Sequence, residues 1–120
     1  MRIGELAERA GTSTRTLRYY ESHGLVRARR AANGYRAYDE SELRVVNEIR
    51  GLLAVGFTLS DIRPFVACLR AGNSTGDACP DSVAVLRRKL AEVDACIERM
   101  NGIRDRLRGQ LDRAVLERAS

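Results

Sequence analysis

The residues with the most reactive side chains in this sequence are three cysteines, Cys68, Cys79 and Cys96. Cys79 precedes Pro80, and proline is favoured at the first position of a helix. A thiol at the N-terminal end of a helix lies in the positive field of the helix dipole, which lowers its pKa and favours the reactive thiolate. Cys79 is therefore the leading candidate for an effector or redox site, by modification of its thiol or by binding of a soft metal.

The same cysteines are open to a purely structural interpretation. An odd number of cysteines at wide spacing does not predict a disulfide framework and is typical of a reducing cytosol. Because no C-x-x-C spacing is present, the cysteines are a weak indication of a metal site, and we assign no metal ligands. In this interpretation Cys79 is an inert residue at a helix cap, while Cys68 and Cys96 are small apolar residues in the packing.

No other residues suggest covalent or acid–base chemistry. The chain has one histidine, His23, and the sequence contains neither a Ser, His and Asp arrangement nor a glycine-rich phosphate loop. A length of 120 residues fits one small domain with an appendage and leaves little room for an enclosed active site. We therefore expect that the protein is not an enzyme.

The arginines are the second informative group. Residues 1–38 contain eight arginines and three glutamates, so this third of the chain has the net charge of +5 that the whole chain has. The eight are Arg2, Arg9, Arg15, Arg18, Arg27, Arg29, Arg30 and Arg36. A local positive excess indicates a surface for a polyanion, because neutralised phosphates release their counterions. The alternative is a coding bias, since 20 of the 21 basic residues are arginine.

The composition indicates a mainly α-helical protein in the cytoplasm. Aromatic residues make up 5% of the chain, hydrophobic residues 44% and charged residues 31%, which is typical of soluble helical proteins rather than β-sandwiches or disordered tails. No apolar run approaches the roughly 18 residues that span a bilayer, and the first ten residues lack the apolar core of a signal peptide. We expect no contact with a membrane.

Two short helices and a hairpin are predicted in the first 38 residues. Ile3, Leu6, Ala7 and Ala10 follow a helical spacing that stops at Gly11. Thr12 and Ser13 can cap a second helix that runs towards Gly24, and such a pair with a tight turn is typical of a helix-turn-helix. Asn33-Gly34 between basic segments predicts a β hairpin, which would form a basic wing.

A second helical pair follows the wing and completes a head at residues 1–70. Asp39 with Glu42, and Thr58 with Asp61, have the spacing of capping boxes at the starts of two further helices. Residues 71–79 are rich in glycine and small polar residues, which predicts a linker.

A long helix is predicted at residues 80–112, followed by a tail at 113–120. Its apolar residues recur at alternating spacings of three and four, which indicates the seam of a coiled coil. They are Val83, Leu86, Leu90, Val93, Ile97 and Met100, continued after a phase slip by Ile103, Leu107 and Leu111. Such a helix is ~45 Å long and too long to pack along a head of this size, so the seam favours a homodimer over a helix folded back on its own head.

The motifs together resemble the MerR family of bacterial transcriptional regulators. They are TLRYYE at 16–21, GL at 24–25, NGYRAY at 33–38 and GFTLSDI at 56–62. The resemblance covers nearly the whole chain and implies a winged helix-turn-helix head with a long antiparallel dimerisation helix. Ala28 departs from the family, which usually has proline at the start of the wing.

The resemblance implies that a homodimer binds a near-palindromic promoter and, in response to a small stress signal, distorts the DNA so that RNA polymerase can use it. The second helix would enter the major groove, where Arg15 near its N-terminal end can bond to guanine. The residues expected to contact DNA are Arg15, Thr16, Arg18, Tyr19, Arg29, Arg30, Tyr35 and Arg36. Tyr20 and Tyr38 are expected in the packing of the head instead.

The effector stays open at this point. Relatives that bind bulky drugs have a further domain after the dimerisation helix, and soft-metal sensors have a cysteine pair in a loop there; neither follows Cys96 in this sequence. The competing function is an architectural or excisionase-like DNA-binding protein without an effector, against which the heptad helix argues. A coiled-coil interaction protein without DNA contact is disfavoured by the charge of residues 1–38.

Overall fold

The computed structural model describes residues 1–119, which form five helices and one two-stranded sheet. They divide into two compact units, Met1–Val83 and the residues from Ala84 onward. The first, called the head unit below, therefore extends past the predicted boundary at residue 70. Within residues 1–119, no helix is both long enough and apolar enough to cross a membrane.

The first two helices form the predicted helix-turn-helix. Helix α1 spans Ile3–Ala10 and ends at Gly11, whose φ of 71° lies in the left-handed region that favours glycine. Helix α2 spans Thr14–Ser22, and the Ser13 side chain caps it by accepting a hydrogen bond from the Thr16 N–H at 3.1 Å.

The wing is a short antiparallel hairpin. Strand β1 (Arg29–Arg30) pairs with β2 (Arg36–Ala37), so that Arg30 lies opposite Arg36. The Gly34 N–H donates to the Ala31 carbonyl at 2.9 Å, and Gly34 has a φ of 85°. The predicted Asn33-Gly34 turn is therefore present, in a loop of five residues between the strands.

The second helical pair consists of α3 (Glu40–Ala54) and α4 (Leu59–Arg70). The capping box at Thr58 and Asp61 is confirmed in both directions. The predicted box at Asp39 and Glu42 is wrong, because Asp39 makes no capping hydrogen bond and Glu42 is buried against other partners. The Glu42 carboxylate instead accepts a charge-assisted hydrogen bond from the Arg70 guanidinium at 2.6 Å.

The core of the head unit is formed by side chains from α1 to α4 and the segments between them. The largest completely buried ones are Leu6, Leu17, Leu25, Val26, Val46, Ile49, Ile62 and Phe65. Tyr20 and Tyr38 are also buried, at 4% and 3% exposure, as predicted. This packing fixes the backbones of α2 and the wing, which present the arginines.

The predicted linker is held by hydrogen bonds rather than being loose. The Arg44 guanidinium donates to the Ser74 carbonyl at 2.9 Å, and the completely buried Ser82 hydroxyl donates to the Gly76 carbonyl at 2.6 Å. Glycine fits closely at position 76, since a Cβ would lie 2.8 Å from Glu48 Oε1 and 3.1 Å from the Phe65 carbonyl oxygen. Residues 71–79 are thus part of the head unit.

Helix α5 spans Pro80–Ala119 and is about 60 Å long at 1.5 Å per residue. Its start agrees with the sequence, but its end does not: residues 113–119 are helical and extend α5 beyond 112. Ser120, the last residue of the predicted tail, lies outside the described residues. Apart from Ser82, no residue of α5 up to Ala119 is buried.

Candidate nucleic-acid interface

One face of α2 is exposed. Leu17 and Tyr20 fix the helix in the core, whereas Arg15, Arg18 and Tyr19 are exposed. Within residues 1–119, neither arginine makes an ion pair or a side-chain hydrogen bond. Both guanidinium groups are therefore available to accept a partner from outside the chain.

Thr16 and Tyr19 are held by neighbouring side chains. Thr16 is half-buried, and its hydroxyl accepts a hydrogen bond from the Ser13 hydroxyl at 2.9 Å, within the cap of α2. The Tyr19 ring is 52% exposed and lies edge-on to the His23 ring at 4.5 Å between centroids. Arg63 donates to the His23 carbonyl at 2.9 Å, which fixes the end of α2 where this ring pair lies.

Two arginines of the wing form ion pairs with carboxylates of the head unit. Arg29 Nε lies 2.6 Å from Asp39 Oδ1, and an Arg36 Nη lies 2.7 Å from Glu21 Oε2. Both arginine side chains are more than 60% exposed, and exposed pairs contribute little because water screens them. Arg29, whose partner Asp39 is also 52% exposed, can therefore exchange its carboxylate for a phosphate at small cost, whereas the Glu21 partner of Arg36 is only 20% exposed.

The other wing residues differ in their surroundings. Arg30 makes only a long 3.4 Å contact with the Gly34 carbonyl oxygen. The Tyr35 ring is 55% exposed and is covered on one side by the Arg2 guanidinium, 4.1 Å from the ring centroid. The ring is therefore held in place while its other parts face solvent.

Arg2 is a member of this surface that sequence reasoning missed. Its charge was counted in the basic excess, but no local signal connects it with a tyrosine 33 positions away. Backbone pairing explains the placement, because the Tyr38 N–H donates to the Met1 carbonyl at 2.7 Å and brings the first residues beside the wing. A cation held on an aromatic face by such a contact is stabilised by the ring quadrupole.

Glu21 joins the wing to α2. Its Oε1 accepts a hydrogen bond from the Tyr38 hydroxyl at 3.0 Å, while Oε2 is paired with Arg36. Burial raises the pKa of Tyr38, and the bond to Glu21 raises it further, so the tyrosine stays a neutral donor. The buried Tyr38 thus fixes the base of the wing, as predicted.

The cysteines differ most from the sequence expectations. Cys68, in the last turns of α4, forms a disulfide with Cys79, which lies just before α5. The expectation that no disulfide forms is therefore wrong, and Cys79 is bonded rather than free in this structure. Cys68 is buried as expected, but Cys96 is exposed rather than packed and is the free cysteine within residues 1–119.

Sequence spacing could not reveal this pair. The two cysteines are 11 positions apart across a segment without periodicity, and only the folding back of residues 71–79 brings their Cα atoms to 5.8 Å. The Asn73 side-chain amide donates to the Cys68 carbonyl at 3.0 Å and to Cys79 Sγ at 3.3 Å. The linker therefore positions both sulfur atoms.

The predicted seam of α5 is an uncovered apolar stripe. Its residues are Val83, Leu86, Leu90, Val93, Ile97, Met100, Ile103, Leu107 and Leu111, and all are at least 36% exposed. Val115 and Leu116 add apolar surface in the part of α5 that the sequence analysis assigned to a tail. Apolar residues on the surface of a monomer are usually scattered singly, so a continuous row of this length indicates a protein interface.

Two family models match this chain. Residues 1–67 match that of the MerR HTH family regulatory proteins, and residues 43–110 match one described as MerR, DNA binding. The transcriptional regulator HmrR of Rhizobium leguminosarum bv. viciae is 36% identical over 107 residues, which cover 87% of this chain and 78% of HmrR.

Two further similarities concern length and structure. The nodulation protein NolA of Bradyrhizobium elkanii is 36% identical over 108 residues, but the matched part, 89% of this chain, is only 45% of NolA. The crystal structure of PbrR691 from Ralstonia metallidurans CH34, in complex with lead(II), superimposes with a TM-score of 0.70 at 32% identity. That match covers 89% of this chain and 81% of PbrR691.

A metal site in the described residues would need a cluster of side chains that could hold the ion. Nowhere in residues 1–119 are three or more His, Cys, Asp or Glu side chains grouped so that they could hold an ion. Cys79, the sulfur ligand that the sequence offered, is bonded to Cys68.

Proposed function

This chain belongs to the family of MerR HTH regulatory proteins, and from that premise we propose that it is a DNA-binding transcriptional regulator. The observation that carries the proposal is the free face of α2, where two unpaired arginines and an exposed tyrosine project from a helix fixed in the core. A helix that presents such side chains fits the major groove, where arginine bonds to guanine O6 and N7.

The wing supplies contacts of a second kind. Arg29, Arg30 and Arg36 are exposed on a two-stranded ribbon, and arginines on such an element bind the phosphate backbone rather than base edges. Arg2 and Tyr35 belong to the same surface, because the Arg2 guanidinium lies on the Tyr35 ring beside the strands. The helix would then read sequence, while the wing would determine register and affinity.

The regulator acts as a homodimer paired through α5. An exposed heptad seam on a helix of 40 residues is stabilised when a second copy covers it. We infer antiparallel pairing, the arrangement that the family resemblance implies. A two-fold dimer presents two α2 helices, so its operator is near-palindromic.

The proposed target is a promoter, on which the dimer distorts the DNA for RNA polymerase in response to a small stress signal, in the cytoplasm. None of these steps requires catalysis by the protein. The competing proposal, an architectural or excisionase-like protein, would bind and bend DNA without changing transcription. In vitro transcription with RNA polymerase separates the two, since only a regulator changes transcript yield.

The DNA-binding proposal is tested by two arginine substitutions. A duplex selected by the purified protein from a random-sequence pool serves as the specific probe, and a scrambled duplex as the non-specific one. Arg15→Ala should cost about 1 to 3 kcal/mol on the selected duplex and relax selection at one position of each half-site. Arg36→Ala should weaken binding to both duplexes alike and reduce the salt dependence by about one phosphate contact.

A matched control removes one arginine elsewhere. Arg113 is an exposed residue of α5 outside the head unit, so Arg113→Ala should leave binding to either probe unchanged. If Arg15→Ala and Arg36→Ala each reduced the binding free energy equally on the selected and the scrambled duplex, the proposed roles would be wrong. Those roles are base recognition by α2 and backbone binding by the wing.

A further inference from the structure

The disulfide lies where three segments of the head unit meet. Cys68 belongs to the C-terminal part of α4, Asn73 to the linker, and Cys79 to the position just before α5. The Val83 N–H donates to the Cys79 carbonyl at 3.1 Å, so Cys79 occupies the N-cap of α5. The bond therefore ties the start of α5 to the end of α4.

The two sulfur atoms have different surroundings. Cys68 is 2% exposed, whereas Cys79 is only half-buried. In the reduced protein, a Cys79 thiolate would be stabilised by the Asn73 amide that now contacts its sulfur and by the N-terminal end of α5. Among the described residues no such donor contacts Cys68, whose sulfur lies 3.6 Å from the Thr75 carbonyl oxygen. We therefore expect Cys79 to react first with an oxidant, and Cys68 to react with the oxidised Cys79.

We propose that Cys68 and Cys79 form a reversible dithiol–disulfide switch that responds to hydroperoxides. The Cys79 thiolate attacks one peroxide oxygen, the O–O bond breaks, and Cys79 becomes a sulfenic acid while the leaving oxygen takes up a proton as water or alcohol. The Cys68 sulfur then attacks the Cys79 sulfur, and the sulfenic oxygen leaves as water with the Cys68 proton. Two thiols lose two electrons in total, and one peroxide gains them.

Thiol–disulfide exchange with a cellular dithiol reverses the reaction. The incoming thiolate attacks the half-buried Cys79 sulfur, and a second thiol of the reductant releases the mixed disulfide, so that two electrons return to the cysteine pair. The buried Cys68 sulfur leaves as a thiolate and regains its proton.

Closing the bond changes how firmly the start of α5 is held. The hydrogen bonds from Arg44 to Ser74 and from Ser82 to Gly76 do not involve the cysteines, so we expect them to hold the two thiols close together in the reduced state. These hydrogen bonds can open in local fluctuations of the chain, whereas the disulfide, which is covalent, cannot. The switch rests on the proposed function for its effect on transcription, but its chemistry does not depend on DNA.

The chemistry is tested on the full chain with Cys96→Ser, which leaves the pair as the only cysteines. After reduction, a stoichiometric amount of hydrogen peroxide should give an intramolecular disulfide, found by mass spectrometry after alkylation. With Cys68→Ser added, a dimedone adduct should accumulate at Cys79. With Cys79→Ser added, Cys68 should stay reduced on the same timescale.

Two results would overturn the chemical assignment. One is a rate of disulfide formation between Cys68 and Cys79 that is no higher than the rate at which Cys96 is oxidised. The Cys68→Ser Cys79→Ser variant, in which Cys96 is an exposed reference thiol, gives the second rate. The other concerns a stoichiometric soft metal ion, added as Cu(I) or Pb(II). If the metal ion prevents formation of the disulfide and added peroxide does not restore it, the cysteine pair is a metal site.

The regulatory effect is tested by in vitro transcription from a promoter that carries the selected duplex. We expect transcript yields of the oxidised and reduced protein to differ by about 5-fold or more, a typical coupling between two sites, and the Cys68→Ser variant to give the same yield in both states. A closed disulfide with unchanged yield would refute regulation by the switch. Failure to bind any duplex in either state would refute the proposed function instead, and leave the cysteine chemistry standing.

Discussion

Glu42 shows how one buried charge connects distant parts of the head unit. Its carboxylate accepts hydrogen bonds from Arg70 at 2.6 Å and from the Arg27 N–H at 3.1 Å, and Arg70 also donates to the Leu25 carbonyl. The two side chains are only 6% and 19% exposed. The pair thus joins α3, α4 and the segment that leads into the wing.

Removal of Glu42 should therefore be costly. Glu42→Ala leaves the Arg70 guanidinium, whose Nε already lacks a hydrogen-bond partner, without its counter-charge, and we expect a loss of roughly 3 kcal/mol in the free energy of unfolding. Urea titration followed by circular dichroism measures it.

Glu40 provides the matched control on the same helix. Its ion pair with Arg9 is exposed, with side-chain exposures of 72% and 41%, so Glu40→Ala should change the urea midpoint little. Equal losses for the two variants would contradict the buried role of Glu42.

Glu48 leads to a prediction about pH. Burial raises the pKa of this carboxyl above its ordinary value of 4.5, and the nearby Asp77 raises it further. The folded state therefore binds this proton more tightly than the unfolded chain, and the resulting stability is present below pH 4.5 and lost as the pH rises through the folded pKa. Glu48→Gln should accordingly raise the melting temperature near neutral pH, with a gain that shrinks in acid.

Calorimetry across this pH range checks the prediction. Glu5→Gln, which changes an exposed glutamate of α1, is the matched control for the removal of one carboxylate. A Glu48→Gln gain that grew in acid would mean that the sign of the Glu48 shift is wrong.

At the scale of elements, the sequence predicted what local signals determine. The spacing from Ile3 to Ala10, the stop at Gly11 and the box at Thr58 and Asp61 each depend on neighbours within a few residues, and each is observed. The Asp39 and Glu42 box failed because Glu42 has a buried partner 28 positions away, and no local pattern carries that information.

In the candidate site, too, the sequence predicted the features that depend on local periodicity and did not predict those that depend on long-range contacts. That α2 buries Tyr20 and exposes Tyr19 follows from helical periodicity, and the sequence predicted it. The contact of Arg2 with Tyr35, and the bond between Cys68 and Cys79, depend on backbone segments that meet only in the folded chain. Long-range pairing of this kind is set by tertiary packing, which single-sequence patterns do not encode.

The docked linker makes Gly76 sensitive to substitution. Gly76→Ala places a methyl group against the Phe65 carbonyl oxygen and the Glu48 carboxylate, and we expect a destabilisation of about 1 to 3 kcal/mol. Thermal unfolding measures the loss, and hydrogen exchange in residues 71–79 should increase.

Gly51 is the control for this substitution. It lies inside α3, and among the described residues no atom outside its chain neighbours and the adjacent helix backbone comes within 4 Å of the position that a Cβ would take there. Gly51→Ala should therefore stabilise the protein by roughly 0.5 to 1 kcal/mol through its helix propensity. Stabilisation by Gly76→Ala would show that the linker is not docked in solution.

At the scale of the whole molecule, the seam of α5 predicts the assembly. Leu90 and Ile97 are 62% and 53% exposed in one chain. Replacing both with Asp puts charges where a second copy would pack, so we expect monomers and loss of binding to the selected duplex. Analytical ultracentrifugation and a duplex-binding assay measure the two effects.

The control keeps the added charge and moves it off the seam. Ala91→Asp with Ala95→Asp alters exposed residues of the same helix outside the seam positions, and this variant should remain dimeric and bind DNA. A dimer that survives Leu90→Asp with Ile97→Asp would refute pairing through α5.

The exposed Cys96 has a practical consequence for measuring the dimer. With Cys68 and Cys79 joined, it is the free thiol of the described residues, and it lies beside the seam rather than within it. A nitroxide label attached there would place one spin on each α5, without any engineered cysteine. Pulsed electron resonance would then give a single distance between the two spins, and a change in that distance on adding DNA would report movement of one helix along the other.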